Sequence, residues 1–417
     1  MVVSPDSNTP LHLKNQTCKH FGDCGGCQCQ DVPYQEQLRL KSATLRETFQ
    51  EYWTGEITIT PSPQVWRYRN RLDFNFGRKH YPEPPPKDFV RESALGFRRR
   101  GRWYWPVDIE DCLIGMEGNS HLLDAVRSWM YDQELHAYDP RSHEGTLRAL
   151  LVREGKRTGQ RMVVLITREA LADPDRFVEV VNAASPATSI FQGIFTGKSD
   201  IVAADDLLLL HGSPTIDEEL RIPDDDAARA LRFRLSPFSF FQTNTLATER
   251  LYGTIRAWVR NLGASIVYDL YGGSGGIAFS CADLVQRIES VESVESATHD
   301  GAHNAEVNQI TNVSFHTMNV EDYLRRLAEQ GTLESNAAVI LDPPRAGLHP
   351  KAIRALLELK PRNILYVSCK PSVLAQELKS LAEIYAIRKL WAVDLFPHTP
   401  HVEAVAWLQV KASAEEG

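Results

Sequence analysis

The pattern of hydrophobic and polar positions changes twice along the 417-residue chain. Residues 32–52 carry apolar side chains at helical spacing among many Gln, Glu, Lys and Arg, which predicts one amphipathic helix. From residue 57 to about 235, short β-rich runs alternate with turn clusters, and residues 171–184 favour a helix. We therefore expect a central β-rich or α+β domain.

The last part of the chain predicts a different architecture. A long helical stretch reaches residue 262, and strand-like runs then alternate with helical ones. The strand-like runs lie at residues 266–271, 286–291, 313–319, 338–341 and 364–367. This alternation indicates a doubly wound, mostly parallel sheet, so the fold class is α/β with a Rossmann-like domain. We expect three units, at residues 1–56, 57–235 and 236–417.

The composition is that of a soluble globular protein, because 43% of the residues are hydrophobic and 24% are charged. Residues 1–16 are polar and lack the basic and apolar parts of a signal peptide. No later run is long enough to span a membrane. We expect a cytoplasmic, monomeric protein.

A basic and aromatic stretch interrupts a chain whose formal net charge is −8. Residues 67–102 contain 11 Lys and Arg against 4 acids, interleaved with aromatic residues. Guanidinium groups beside aromatic rings are the composition of a surface for single-stranded RNA. The alternative is an exposed face of a β-rich domain, with arginine stems covering apolar surface.

Four of the seven cysteines fall within twelve residues, at Cys18, Cys24, Cys27 and Cys29. In a cytosolic chain such a cluster indicates metal binding rather than disulfides, and thiolates suit either an iron–sulfur cluster or structural zinc. Cys29 is only two residues from Cys27, which makes joint ligation of one compact site awkward, so we favour Cys112 as the fourth ligand. The alternative is a set of unrelated thiols in a loop.

The glycine-rich run at residues 269–276 follows the first strand of the last domain and opens a helix. Backbone N–H groups and bare glycines there let a ligand approach closely, and Glu292 at the end of the next strand could bind both ribose hydroxyls. Two ligands fit. Residues 273–278 satisfy the loose dinucleotide pattern G-x-G-x-x-A, and an S-adenosylmethionine site uses the same loop and acid.

Three later motifs each place a reactive group at the end of a strand-like run: Asp342-Pro343-Pro344-Arg345, Ser368-Cys369-Lys370-Pro371 and His398-Thr399-Pro400-His401-Val402-Glu403. In an open α/β sheet they would cluster beyond the carboxyl ends of the strands. A thiol suits addition to C6 of uracil, which makes C5 nucleophilic, and the C5 proton must later be removed.

We expect Cys369 to be the nucleophile, with its pKa lowered by a helix N-terminus near Pro371. Glu403 is the expected base, and Asp342 would hydrogen-bond the uracil edge. The alternatives are an inert buried thiol at Cys369 and a solvated strand residue at Glu403. Asp-Pro-Pro also occurs in methyltransferases acting on amino groups of bases, where an aromatic residue usually follows, and Arg345 argues against that class.

Together with the run at residues 240–244, these motifs resemble, in order, those of the RNA 5-methyluridine methyltransferases, and the similarity extends from Cys18 nearly to the C-terminus. The resemblance implies S-adenosylmethionine as methyl donor, Cys369 as nucleophile, Glu403 as base and Asp342 at the uracil. It also implies a [4Fe–4S] cluster on Cys18, Cys24, Cys27 and Cys112. Residues expected at the methyl donor are Gln242, Asp269, Tyr271, Gly273, Gly275, Glu292, Asn319 and Asp342.

Two positions depart from the family pattern. Members usually carry cysteine at the position of Gly272 and asparagine or a similar residue at that of Gly276, so we expect a more flexible glycine loop here. The chain also has no room before Cys18 for the small RNA-binding barrel of many members. This resembles the shorter branch that modifies 23S ribosomal RNA and retains the cluster.

The expected partner is therefore structured RNA, with 23S rRNA first and the T-loop uridine of tRNA second. Two other functions stay open at this point. One is a non-catalytic iron–sulfur protein that binds RNA through a methyltransferase fold. The other is a nicotinamide oxidoreductase using the glycine loop.

Overall fold

The computed structural model describes residues 17–411 apart from 82, 84, 85, 87, 88, 90, 91, 200, 226, 332 and 335. The polar start at residues 1–16 and three charged residues of the basic stretch, Lys87, Asp88 and Arg91, lie outside the described residues. Within the described ranges, no helix is both long and apolar enough to cross a membrane.

The helices and strands follow the order that the sequence pattern predicts, with a β-rich middle and an alternating end. The helices are α1 (Tyr34–Phe49), α2 (Asn119–Asp132), α3 (Pro174–Ala184), α4 (Thr245–Leu262), α5 (Gly276–Cys281), α6 (Glu295–Val307), α7 (Val320–Gln330), α8 (Pro350–Leu359) and α9 (Pro371–Leu381). The strands are β1 (Thr58–Thr60), β2 (Arg71–Arg78), β3 (Ser93–Arg99), β4 (Arg102–Asp108), β5 (Leu147–Glu154), β6 (Arg161–Thr167), β7 (Ser189–Ile194), β8 (Asp206–Gly212), β9 (Ile216–Ile222), β10 (Arg229–Leu235), β11 (Ile266–Leu270), β12 (Arg287–Glu292), β13 (Val313–Thr317), β14 (Ala337–Leu341), β15 (Asn363–Ser368), β16 (Tyr385–Val393) and β17 (Glu403–Val410).

An eight-stranded sheet in the order β1-β16-β17-β15-β14-β11-β12-β13 forms the C-terminal part. Strands β13, β12, β11, β14 and β15 are parallel, and β17 runs antiparallel between β15 and β16. Every residue of β11, β14 and β15 is buried, which explains their continuous apolar runs, because helices cover both faces of such a sheet. The Rossmann-like α/β prediction is confirmed.

The strand order reverses beside β11, which pairs with β12 on one side and with β14 on the other. In open α/β sheets ligands bind in the crevice outside the carboxyl ends of the strands at such a switch point. This crevice is where the predicted glycine loop and the three reactive motifs should lie.

A second sheet, in the order β4-β3-β2-β5-β6-β7-β8, forms the central part and is antiparallel except for the β6–β7 pair. The hairpin of β9 and β10 packs against α4 and α6. Side chains from β5, β6, β9 and β10 share one hydrophobic core with the C-terminal sheet. The two parts therefore form a continuous structure around the crevice.

The predicted helix at residues 32–52 is α1, and it packs on the C-terminal part. Leu45 and Phe49 are buried in the same core as Ile266 and Ile364 of the large sheet. Strand β1, which follows α1, pairs parallel to β16 at the edge of that sheet. The N-terminal segment is thus anchored to the domain that carries the reactive motifs.

Candidate active site and cysteine cavity

The three reactive motifs meet at the carboxyl end of the parallel strands. Asp342 directly follows β14, and Cys369 directly follows β15, its parallel neighbour. Glu403 is the first residue of β17, and its neighbour Ala404 pairs with Ser368. Because an antiparallel strand begins where its parallel neighbours end, this register places the acid beside the thiol.

The two carboxyl groups interact, with Glu403 buried and Asp342 half-buried. Glu403 is only 2% exposed, so the alternative of a solvated strand residue is wrong. Burial raises the pKa of Asp342 to about 7, and burial together with Asp342 raises the pKa of Glu403 well above its usual value. Like charges in one dry site cannot both ionise easily, so the pair holds a proton near neutral pH. One carboxyl can then act as acid while the other acts as base.

The side chain of Glu403 is available to a substrate. Its Oε1 atom has no hydrogen-bond partner among the described residues, although the atom is buried. Buried polar atoms normally find a partner, and an exception often marks a group that a ligand completes. This observation favours a substrate contact at Glu403.

The thiol of Cys369 differs from expectation. Lys370 caps α9 and Pro371 occupies its first turn, as predicted, but the pKa of Cys369 is raised to about 11. Burial is the largest cause, the carboxylates of Glu403 and Asp342 add to it, and Arg345 partly opposes it. The expected lowering of the pKa is therefore wrong for the free enzyme, because desolvation and two acids outweigh one helix N-terminus.

The glycine loop turns sharply beside these groups. Tyr271, Gly273 and Gly275 all have left-handed backbones, with φ values of 66°, 54° and 90°. The loop holds Glu292 at the end of β12, since the Gly273 N–H donates to Oε2 at 3.2 Å and the Val294 N–H donates to Oε1 at 2.8 Å. Asp269 lies fully buried in β11, where burial and Asp342 raise its pKa to about 7.

A narrow cavity of about 30 Å³ lies between the glycine loop and Asp342. Of the residues predicted at the methyl donor, Gln242, Tyr271, Gly273 and Asp342 line it. Asn319 instead lies exposed before α7, where the neighbouring Met318 N–H donates to the carbonyl of Glu292. A nucleoside needs more room, and Phe240, 59% exposed at the rim, is the lining side chain with most freedom to move.

Neighbouring side chains fill the space beside Gly272 and Gly276, the two positions of the glycine loop that depart from the family pattern. A Cβ atom at Gly272 would lie 2.2 Å from Ser290 Oγ, and one at Gly276 would lie 2.6 Å from the Tyr252 hydroxyl oxygen. The loop is therefore packed at both glycines. Tyr252, which sequence reasoning missed, also lines the narrow cavity. Its position inside α4 gave no local signal, because only the packing of α4 against α5 brings it there.

The N-terminal thiols form a second feature. Cys18, Cys24, Cys27 and Cys112 line one cavity of about 660 Å³, whereas Cys29 is not part of its lining. Burial raises the pKa of both Cys27 and Cys112 to about 12, so without a cation these thiols stay neutral. Among the residues that the structure describes, no three His, Cys, Asp or Glu side chains lie close enough together to hold a metal ion.

Comparison with known proteins identifies the family. The family model described as tRNA (uracil-5-)-methyltransferase matches residues 203–411, which include the glycine loop and all three reactive motifs. The chain belongs to this family. It is an S-adenosylmethionine-dependent RNA methyltransferase of the uracil-5 family, and the nicotinamide alternative does not hold.

Relatives of this methyltransferase cover nearly its whole length. Proteins described as uncharacterized RNA methyltransferases are 32% identical in Caldanaerobacter subterraneus subsp. tengcongensis and 34% identical in Porphyromonas gingivalis. Both alignments cover 98% of this chain, with 87% and 89% of the respective relative.

A solved structure agrees with the fold of the methyltransferase. The tRNA (uracil-54, C5)-methyltransferase of Pyrococcus abyssi, in complex with S-adenosyl-L-homocysteine, is 29% identical with a TM-score of 0.71. The match covers 92% of this chain and 86% of that one. The similarity therefore extends beyond residues 236–417, which carry the reactive motifs.

Alkylation of Cys369 should report the influence of the acid pair. Because the thiol pKa is raised to about 11, the thiolate is scarce below that pH, and reaction with iodoacetamide should accelerate as pH rises toward it. At the high pH where the thiol titrates, both carboxyl groups are ionised, so Glu403→Gln removes one negative charge there. The pKa of Cys369 should therefore fall, and alkylation near pH 9 (about two units below the pKa) should be faster. Mass spectrometry of the Cys369 peptide at a series of pH values measures both effects.

The matched control is Glu358→Gln, which neutralises an exposed acid on α8 and should leave the alkylation profile unchanged. Equal profiles for Glu403→Gln and the unmodified protein would show that the two side chains do not interact.

Proposed function

We propose that the chain methylates C5 of a uridine in structured RNA through a covalent bond between Cys369 and C6. The observation that carries this proposal is the meeting of one thiol with two interacting carboxyl groups, buried Glu403 and half-buried Asp342, at the carboxyl ends of the strands. The uridine must leave its stack, because C5 and C6 have to be reached from the faces of the ring.

The chain's own side chains act at each step of the proposed reaction. Sγ of Cys369 loses its proton to solvent water and forms a bond to C6, while Asp342, as the protonated member of the pair, donates a hydrogen bond to the developing enolate oxygen and Glu403 stays ionised. S-adenosylmethionine, when bound, supplies the methyl group for C5. Glu403 then takes the C5 proton, the ring electrons reform the C5–C6 double bond, and the thiolate leaves.

The raised pKa of Cys369 fits a nucleophile that is activated only with substrate. In the free enzyme a neutral thiol next to two acids is protected from unwanted oxidation and alkylation, which require thiolate. A uracil that binds Asp342 and Glu403 would separate these acids from the thiol. Release of the thiol proton to solvent water then becomes part of the addition step, and Glu403 stays ionised for the later removal of the C5 proton.

The donor site is proposed at the glycine loop. Glu292, already held by two backbone N–H groups, would bind the ribose hydroxyls, and Gln242, Tyr271 and Gly273 would line the space toward Asp342. Asp269, Gly275 and Asn319 complete the proposed set as supports of the loop and the neighbouring strand ends.

The RNA surface is proposed on the central domain, at residues 57–235. A cavity of about 250 Å³ there is lined by Arg78, Arg98, Arg141 and Lys198 beside Tyr104 and Trp105. The Arg141 guanidinium lies 5.5 Å from the centre of the Tyr104 ring, and Tyr104 is 44% exposed. Cations for phosphates beside exposed rings for bases suit an unpaired stretch of RNA.

The motif resemblance supports 23S rRNA as the substrate, acted on by a monomeric enzyme in the cytoplasm. The T-loop uridine of tRNA is the second candidate, and a specific observation favours it, namely the similarity to the Pyrococcus abyssi enzyme, whose name specifies tRNA uracil-54.

We propose that the four thiols of the N-terminal cavity would close around a [4Fe–4S] cluster when it binds. A cluster spreads its cysteine ligands around a larger core than a single ion does, which agrees with one cavity of about 660 Å³ lined by all four. We propose Cys18, Cys24, Cys27 and Cys112 as ligands, and the cluster would hold the N-terminal segment (residues 17–32) in place.

Substitutions at the thiol and the base should have different outcomes. Cys369→Ala should lower turnover at least about a thousandfold, because no bond to C6 can form. Glu403→Gln should transfer the methyl group but leave the C5 proton in place, so a methylated covalent protein–RNA adduct should accumulate. Denaturing gels with a labelled methyl donor distinguish these products. Cys29→Ser is the matched control and should turn over normally, and normal turnover by Glu403→Gln would remove the base assignment.

Mass mapping of 5-methyluridine should identify the substrate. Deletion of the gene should remove the modification from one position in 23S rRNA and leave the tRNA T-loop methylated. Loss from the tRNA T-loop alone would instead support the second candidate.

Metal analysis should separate the cysteine ligands. After anaerobic purification, the unmodified protein and Cys29→Ser should each hold about four iron atoms per chain, while Cys27→Ser should hold less than about one. Visible absorbance provides a second measure of the cluster. About one zinc atom per chain in place of iron would contradict the cluster and favour structural zinc.

A further inference from the structure

The loop at residues 394–402 connects β16 to the catalytic strand β17, and it is buried along most of its length. Asp394 and Leu395 are fully buried, and His398 and Thr399 are 4% and 3% exposed. His398 also has a left-handed backbone, with a φ of 65°, which a non-glycine residue adopts only when its surroundings hold it there. Since the loop ends at Glu403, its position fixes the position of that carboxyl.

One side chain of α1, Gln37, holds this loop. Its Oε1 accepts a hydrogen bond from the His398 N–H at 2.8 Å, and its Nε2 lies 3.2 Å from His398 Nδ1. The same amide nitrogen donates to the carbonyl oxygens of Cys29 at 2.9 Å and Val32 at 2.8 Å. Gln37 is 2% exposed, so these bonds are shielded from competing water.

The cysteine-bearing segment also bonds the loop directly. The N–H groups of Gln28 and Cys29 donate to the His398 carbonyl oxygen at 2.8 and 3.0 Å. In the described part of this segment, residues 17–32, turns and one isolated bridge from Cys24 to Arg99 take the place of helices and strands. Its contact with the loop therefore depends on these few bonds and on whatever holds the thiols together.

A second residue of α1 holds the start of the loop. Lys41, one helical turn after Gln37, donates to Asp394 Oδ1 at 2.7 Å and to the Phe396 carbonyl oxygen at 3.1 Å. The far end of α1 is fixed by Leu45 and Phe49, which are buried in the core of the large sheet. One face of α1 is thus a rigid support that joins the cysteine segment to the loop before Glu403.

We propose that Gln37 is a positioning residue for the proton-removal step, and that it couples the cysteine-bearing segment to Glu403. The proposal rests on the proposed role of Glu403 as the base. Four residues separate His398 from Glu403, and one of them is Pro400, so a displacement at His398 is transmitted to the carboxyl. Cys369 and the donor site lie on other elements and stay in place, so the earlier steps are spared.

The test compares Gln37→Met with Arg39→Met on the unmodified background. Methionine fills the space of glutamine without its hydrogen bonds, and Arg39 lies on the exposed face of the same helix, paired with Glu36. We expect Gln37→Met to lower kcat between about tenfold and a hundredfold with the KM for RNA unchanged. A methylated covalent adduct should accumulate, as in Glu403→Gln, and Arg39→Met should behave like the unmodified protein.

Hydrogen exchange gives a readout apart from activity. Amides of residues 394–402 and 26–30 should exchange faster in Gln37→Met, with little change elsewhere. Tyr68→Phe provides a milder second variant, because it removes only the hydroxyl that donates to the Pro397 carbonyl oxygen at 3.2 Å, and it should accumulate less adduct in the same direction.

Several outcomes would overturn the proposal. Faster exchange in the loop with unchanged kcat would show that the contact does not position the base. A loss of turnover without adduct, in either variant, would place the effect before methyl transfer. If Glu403→Gln itself gave no adduct, the base assignment would fail first and this inference with it. Slow turnover together with accumulation of the adduct in Gln37→Met, and not in Arg39→Met, would support the proposal.

Discussion

The antiparallel pairing of β17 with β15 is the constraint on which the chemistry depends. Ser368 pairs with Ala404, so the last residue of a parallel strand and the first residues of an antiparallel one lie side by side. A thiol from one and a carboxyl from the other then share a dry space with Asp342 from β14. Without this insertion the thiol of Cys369 would lack the neighbouring carboxyl group of Glu403.

Burial brings the two acids and the thiol into contact, and it also keeps the thiol in its neutral, unreactive form in the free enzyme. Burial raises the pKa of Asp342, and burial together with Asp342 raises the pKa of Glu403. Burial, with a smaller contribution from these two acids, keeps Cys369 protonated in the free enzyme. Placing two acids and a thiol close together costs folding free energy. Burial of strands β11, β14 and β15 offsets this cost. A substrate that forms hydrogen bonds with both acids relieves that crowding, which links recognition to activation.

The N-terminal segment is connected to the proposed active site by hydrogen bonds. Gln37 and Lys41 on α1 hold the loop that leads to Glu403, and α1 is itself buried against the large sheet. The cysteine cavity is therefore linked to the proposed active site through α1 and the loop at residues 394–402. A ligand bound in this cavity would contact a segment that is hydrogen-bonded to His398, five residues before the proposed base.

The sequence by itself determined the local parts. Hydrophobic periodicity predicted α1 and the alternating strands of the last domain, because burial on one helix face or on both sheet faces leaves a direct mark on residue order. The motifs around Asp342, Cys369 and Glu403 were recognisable because chemistry needs particular residue types at the ends of strands. Only the tertiary structure decided how these groups act on one another. The raised pKa of Cys369, the filling of Gly272 and Gly276 by Ser290 and Tyr252, and the hold of Gln37 on His398 all arise between residues far apart in the chain. Desolvation, close packing and long-range hydrogen bonds depend on distances in space, and no local pattern of residues encodes them.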